Sequence, residues 1–457
     1  MLSNTATIRQ SEIPGKPQSA VVRNYSLAAV AEMEVDFRSA LLSDPGPPCA
    51  VGVSIELAPV GCYIQTLALA TQDKVFCLLL QQSPSSAQSE TLQKLFSNIE
   101  YLTGFELPYT IVLLAYILGF DVSGYDLSSL SMHAKRGALT TPGNFINSKN
   151  ISALERPINE RWDGGFERSY ANFTGTREPS YALRAWFTAI AANMAFDDVR
   201  LGQRMSTQFV EKPMLQLYSD LTSRVIRLDC LKPRIQENDF CEIEKKSDGT
   251  MIVHNSRYKT RIRASRQTHL EVQLKNGDII DARINGAEGR RSSAMPNQRL
   301  RGDVSHIRVI GREERTNAEQ AQYRFLMFSL TMTRPTPLFV DLVWFPGNPQ
   351  FLEGDEEIEL SSGYESRVLE KLNDSQREVV SAMLSTAPQD SLVITHGPPG
   401  TGKTTTIAAA AEIWSSNGLP CWIIAQSNVG VKNIAESLLK REIDFKLIVS
   451  QEFLVEW

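Results

Sequence analysis

The stretch HGPPGTGKTTT at residues 396–406 restricts the possible folds of this chain more than any other. Gly397, Gly402, Lys403 and Thr404 have the spacing G-x-x-x-x-G-K-[ST], preceded by the apolar run Ser391–Thr395 and followed by a helical pattern over Lys403–Ser415. A strand, a glycine-rich turn and a helix in that order bring backbone N–H groups and the positive end of the helix to one point, where an anion is favoured. The loop Gly397, Pro398, Pro399, Gly400, Thr401 and Gly402, with Lys403, Thr404 and Thr405 behind it, therefore reads as a phosphate cradle. In that reading Lys403 neutralises β- and γ-phosphate oxygens, and Thr404 holds a Mg2+ ion that also leans on the nucleotide's own phosphates. Mg2+ with ATP or GTP is the expected cofactor. His396 reads as a packed strand end.

The surrounding residues extend this into a parallel α/β rhythm: helix Asp374–Leu384, strand Ser391–Thr395, helix Lys403–Ser415, strand Cys421–Ala425, helix Val429–Lys440 and strand Phe445–Val449. Three segments in order, LNDSQREVV (372–380), GPPGTGKTTT (397–406) and AQSNVGVKNI (425–434), resemble superfamily 1 helicases, in particular the group around the nonsense-mediated-decay RNA helicase. The resemblance implies a RecA-like P-loop domain in which Gln376 reads the adenine edge and so selects ATP. It also implies that Ser427 and Asn428 touch the backbone of a single-stranded RNA or DNA, positioning it without reading sequence. A nucleotide kinase or other P-loop enzyme would leave LNDSQ and AQSNV without a role.

In the resembled family, hydrolysis needs an Asp-Glu pair after a later strand and arginines from a second RecA-like domain. Neither is found in these residues; Glu452, after the apolar run, has no preceding Asp. The expected domain is an incomplete RecA-like one. The alternative to a helicase part is a non-hydrolysing protein that holds ATP and nucleic acid.

At 457 residues the chain exceeds a single hydrophobic core, and its ordinary composition places it among globular α/β multidomain proteins. The expected order is a disordered tail (1–20), an α/β domain (21–204), a helical stalk with a basic β-barrel (205–350), a Pro/Gly/acidic linker (351–363) and the P-loop domain (364–457). Six scattered cysteines without a CxxC pair read as reduced thiols, in the cytoplasm or nucleus. The longest apolar run, 107–120, contains Pro108 and Tyr109 and is too short to span a bilayer, so no membrane association is expected.

A net charge of −5 gives no overall attraction to nucleic acid. Between Arg257 and Arg312, however, thirteen Lys/Arg stand against five Asp/Glu. Asn276-Gly277 between two alternating runs predicts a hairpin there. The resembled helicases carry a small β-barrel before the first RecA-like domain, and DLVWFP (341–346) is similar to its exit strand. By that resemblance the loop GRRSSAMPNQRLRG, with Arg290 and Arg291, tracks phosphates.

The segments CAVGVSIELAPVGCYIQTLALATQDKVFCLLLQ and GFELPYTIVLLAYILGFDVSGYDLSSL resemble 3'-5' exonucleases of the RNase D type, which implies an RNase H-like fold. The metal-binding Asp-x-Glu of that family is matched here by Ser54-Ile55-Glu56, its second Asp by Tyr109 or Thr110, and its Tyr-x-x-x-Asp by Tyr181 to Ala185. Two-metal chemistry requires several carboxylates around both ions, so with Glu56 and Tyr181 alone retained this domain is expected not to be a nuclease.

Overall fold

The computed structural model describes residues 6–9, 19–42, 49–58, 64–80, 83–130, 141–147, 162, 180–233, 235–256, 262, 268–311, 315–337, 340, 343–345, 362–385, 390 and 392–449. They divide into two compact units, one of residues 1–286 with 292–335, the other of residues 287–291 with 336–457.

The first unit opens with β1 (Ala6–Arg9), β2 (Ser19–Ser26), α1 (Val30–Leu42), β3 (Val51–Leu57), β4 (Ile64–Ala70) and β5 (Lys74–Leu79). It continues through α2 (Ser86–Ser97), β6 (Leu102–Gly104), α3 (Leu107–Leu118), β7 (Ser123–Asp126) and α4 (Pro142–Asn147). Then come α5 (Ser180–Met194), α6 (Phe196–Leu201) and β8 (Met205–Ser206). The strands form one sheet in the order β1-β2-β5-β4-β3-β6-β7-β8. β5, β4 and β3 run antiparallel to one another, whereas β6 is parallel to β3 and β7 parallel to β6.

Central strands buried on both faces read as continuous apolar runs, and β4 and β5 do so over 67–70 and 75–79. Small residues on β3 and β4 let α5 approach closely: a side chain at Gly52 would stand 2.0 Å from the Ala185 carbonyl oxygen. Asn193 on α5 then satisfies both backbone groups of Ala50, and the Trp186 indole N–H donates to the Gln72 carbonyl at 2.8 Å. Residues 6–9, expected in a floppy tail, instead pair with β2 as an edge strand. The apolar run at 107–120 is the core helix α3, and among the described residues no helix is long and apolar enough to cross a membrane.

The helical stalk expected from Met205 begins later, with α7 (Lys212–Cys230), because Met205 and Ser206 pair with β7. A second sheet follows: β9 (Ile235–Glu237), β10 (Phe240–Lys245), β11 (Met251–Asn255), β12 (Thr268–Leu274), β13 (Ile279–Glu288), β14 (Arg291–Pro296) and β15 (Val304–Gly311). Its order is β10-β11-β14-β13-β12-β15-β9. The two edge strands are separated in the chain only by Asn238 and Asp239, and the Asn238 N–H donates to the Ile307 carbonyl while the Asp239 carbonyl accepts from Ser256. The core is the inward alternation of β12 (Leu270, Val272, Leu274) packed with Met251, Val253 and Ile307. The predicted hairpin is present: Gly277 takes φ +93° and its N–H donates to the Leu274 carbonyl at 2.9 Å. The basic loop is largely hairpin as well, since Arg291–Pro296 pairs as β14; turn residues such as Gly289 localise the reversal to 289–290.

Helix α8 (Asn317–Thr331) closes the unit, and a buried polar joint ties it to the first sheet. Asp126 accepts from the Tyr323 hydroxyl at 2.6 Å and from the Leu107 N–H at 3.1 Å. Arg315 pairs with Glu106 at 2.6 Å and lies over the rings of Tyr109 and Tyr323. Glu106 holds a left-handed backbone, φ 57°, which a non-glycine residue keeps only when its surroundings over-determine it. The Arg315 pair and the Ser128 hydroxyl, which accepts from the Glu106 N–H, supply that constraint.

The second unit contains α9 (Ser362–Leu369), α10 (Asp374–Leu384), α11 (Lys403–Ser416) and α12 (Asn428–Leu439). Helix α11 is its spine: Ala409, Ala410 and Ile413 pack on Val380 and Leu384, whereas Ala408 and Ala411 pack on Leu438. The expected strands Ser391–Thr395, Cys421–Ala425 and Phe445–Val449 form no β-ladder among the described residues, Ser391 lying outside them. Ile394, Trp422 and Ile424 are 84%, 80% and 87% exposed. An apolar run records that a segment suits burial, but a strand exists only with a partner, and these three segments do not pair with one another. The expected exit strand DLVWFP also differs, Val343 and Trp344 being helical. Most of the linker, and Glu452, lie outside the described residues.

Candidate functional site

The phosphate-loop residues come together at the N-terminus of α11. Gly400 and Gly402 both take φ +84°, a left-handed conformation that glycine adopts without the Cβ penalty. Gly397 is fixed for a different reason: a side chain there would meet the Thr401 hydroxyl at 2.7 Å. That hydroxyl donates to the Pro398 carbonyl at 2.9 Å, bracing the turn from inside. The Lys403 ammonium donates to the carbonyls of Gly397 and Pro398 at 2.5 and 2.9 Å, which holds a full positive charge across the loop mouth.

Lys403, Thr404 and Thr405 occupy the first helical turn, where helix geometry leaves N–H groups without an intrahelical acceptor. Pro399 is exposed on the loop, Thr404 is half-buried, and Thr405 is exposed. Thr406 closes the turn, its N–H and hydroxyl both donating to the Gly402 carbonyl. The N–H groups of the first helical turn, with one ammonium beside them, are suited to an anion.

Gln376 stands against this loop. Its amide N–H donates to the Thr401 carbonyl at 3.1 Å, and its Nε2 lies 2.4 Å from where a side chain on Gly402 would project. Asn373 fixes it from behind through a capping box: the Asn373 side chain accepts from the Gln376 N–H, and the Gln376 side chain accepts from the Asn373 N–H. The sequence singles out Gln376 and Thr401 but not Asn373, for which the Asn-x-x-Gln spacing before an apolar run is the local signal. Nothing local marks the hydrogen bond that joins Gln376 to Thr401, 25 positions away.

Ser427 serves as the cap of α12, its hydroxyl accepting from the Gly430 N–H at 3.1 Å, and Asn428 begins that helix. Arg290 and Arg291 are exposed at the β13–β14 turn. Of the other basic residues counted in sequence, Lys275 pairs with Asp303 at 3.1 Å and Arg308 with Glu237 at 3.5 Å, whereas Arg257, Lys259, Arg261, Arg263, Arg266 and Arg312 lie outside the described residues.

The positions matched to a nuclease divide. Ser54 is buried and Glu56 half-buried on β3, with Tyr181 and Ala185 buried on α5 packed against that strand. Burial, with the nearby Cys77 and Glu56, pushes the Tyr181 phenol well up. Tyr109 instead faces the joint with α8, its ring 5.4 Å from that of Tyr323 and beneath Arg315. Burial pushes its phenol up to about 12, against the opposing pull of Arg315. A neutral phenol packed between a ring and a guanidinium offers no metal ligand at this position.

The AAA domain family matches residues 371–442. Over 135 residues the chain is 30% identical to "Putative ATP-dependent RNA helicase ECM32" of Saccharomyces cerevisiae, covering 29% of this chain and 11% of that protein. Over 74 residues it is 42% identical to the DNA-binding protein SMUBP-2 of Rattus norvegicus, covering 16% of this chain and 7% of the relative. The corresponding protein of Mesocricetus auratus is 45% identical over 67 residues, 15% of this chain and 6% of that one. The chain thus carries a superfamily 1 helicase-like P-loop region and spans a small part of the length of the relatives it matches.

Proposed function

We propose that the second unit binds Mg-ATP as the nucleotide-holding part of an ATP-dependent helicase acting on single-stranded RNA or DNA. The observation that carries this is the loop itself: two glycines at φ +84°, with the Lys403 ammonium held across the mouth by two loop carbonyls. Gly397 through Thr405 would hold the phosphates, and Gln376, fixed by its capping box beside the loop, would meet the adenine edge. Thr404 would help to hold Mg2+, which when bound would supply charge neutralisation. Similarity to proteins named as an ATP-dependent RNA helicase and a DNA-binding protein supports the nucleic-acid partner without choosing between RNA and DNA.

The second sheet, whose edge strands are joined through two residues, supports reading it as a small barrel with Arg290 and Arg291 toward a phosphate backbone. The order β5-β4-β3-β6-β7, three antiparallel strands followed by two parallel ones, supports an RNase H-like fold for the first sheet. With Ser54, Tyr109 and Ala185 replacing carboxylates, that part would hold a strand or a partner rather than cut one.

Lys403→Ala tests the central reading by titration of a fluorescent ATP analogue in the presence of Mg2+. Loss of one charge-assisted phosphate contact is worth about 1.5–3 kcal/mol, so affinity is expected to fall by about tenfold to over a hundredfold. Unchanged affinity would refute the assignment of the loop.

A further inference from the structure

We propose that the outer face of the second sheet carries a binding site for a zinc-class divalent cation, formed by His269, Glu271 and Asp281. One donor atom from each lies within 4.8 Å of the other two, and all three residues are half-buried. β12 alternates strictly between buried and half-buried positions, so His269 and Glu271, two residues apart, share the face opposite the core. Glu271 and Asp281 are directly opposed in the β12–β13 register. Two carboxylates in that relation repel one another and destabilise the sheet unless a cation lies between them.

Two arginines border the pair: Arg308 stands opposite Glu271 on β15, with its guanidinium 3.5 Å from Glu237 on β9, and Arg283 lies two residues from Asp281 on the same face of β13. A bound dication would lie between the two carboxylates that the register sets opposite one another.

The donor set selects the ion. One imidazole with two carboxylates suits zinc or a neighbouring first-row dication, whereas Mg2+ favours oxygen ligands and retains its waters. Ligand bonds of about 2.0–2.2 Å in a tetrahedron would bring donors to about 3.4 Å apart. Glu271, with three side-chain torsions, can close the remaining distance without backbone movement, leaving a fourth position for water. The site would clamp β12 to β13 on the side away from the core.

The test uses the full chain, treated with chelator and titrated without nucleotide, with Co2+ as a visible probe and Zn2+ as competitor. One equivalent of Co2+ is expected to bind with a d–d band and no thiolate charge-transfer band, to be displaced by Zn2+, and to survive millimolar Mg2+. His269→Ala and Asp281→Asn, both on the outer face, are each expected to weaken binding by at least about tenfold, while Lys403→Ala titrates like the parent. Far-UV circular dichroism checks that the variants fold; should one not, Glu271→Gln provides the same comparison. Equal binding by parent and variants, a thiolate band from the exposed Cys241 or Cys421, or no saturable binding would each overturn the proposal.

Discussion

Replacing Gly402 by alanine asks whether the phosphate loop depends on backbone conformation or only on its charges. At φ +84° an L-residue brings Cβ toward the following carbonyl, at a cost of about 1–2 kcal/mol. The new methyl would also lie 2.4 Å from Gln376 Nε2, but that atom ends a flexible side chain, so the amide swings away and the cost reduces to its hydrogen bond with the Thr401 carbonyl. A half-exposed neutral bond of that kind is worth about 0.5–1 kcal/mol. In Gly402→Ala the free loop relaxes out of the strained conformation and the nucleotide must restore it, so the cost appears in the dissociation constant. The total, about 1.5–3 kcal/mol, corresponds to a loss of roughly 10- to 150-fold. Gln376→Ala removes the amide first, so in the double variant only the backbone cost is added, and the double-mutant cycle should show a coupling of about 0.5–1 kcal/mol. Fluorescent-nucleotide titration of the four proteins measures all these quantities. Affinity of Gly402→Ala within twofold of the parent would show that the loop does not need a left-handed residue at this position. A coupling near zero would remove Gln376 from contact with it.

Three further outcomes are expected. Tyr323→Phe deprives the buried Asp126 carboxylate of its 2.6 Å donor and should lower stability by about 1.5–3 kcal/mol in urea unfolding; a change under 0.5 kcal/mol would mean the joint between α8 and the first sheet is not formed. Burial holds the Asp126 carboxyl above its ordinary value of 3.8, against its hydrogen bonds, so the folded state keeps this proton more tightly than the unfolded chain. Its contribution to stability is full below 3.8 and declines as pH rises through the folded value, and Asp126→Asn should flatten that part of the stability profile; parallel profiles would contradict this. Reversing Arg290 and Arg291 to Glu should weaken single-strand binding and flatten its dependence on salt, whereas an unaltered slope would assign the pair to a solvated surface.

The features legible in the sequence are those governed by residues close together in the chain. The glycine spacing with Lys403 and Thr404, the Asn276-Gly277 turn and helix α10 at Asp374–Leu384 all follow from local backbone and capping chemistry, and each is found where the residues placed it. The apolar run at 107–120, with Pro108 and Tyr109 inside it, is too short to span a bilayer.

Tertiary structure decided what depends on a distant partner. Residues 6–9 become a strand because β2 offers an edge, and Arg291–Pro296 becomes one because β13 does, although neither segment carries a strong strand pattern. Residues 391–395 and 421–425 have the pattern and no partner among the described residues, so Ile394, Trp422 and Ile424 stay exposed. Asp126 meets Tyr323 across 197 positions, and Tyr109, in the sequence a substitute for a metal ligand, is turned instead beneath Arg315. His269, Glu271 and Asp281 share a site only through the register of β12 with β13. Dihedral preferences and caps act within a turn or two of chain, and so are written locally; strand pairing, burial of charge and convergence of donors are properties of which surfaces meet, and no single segment contains them.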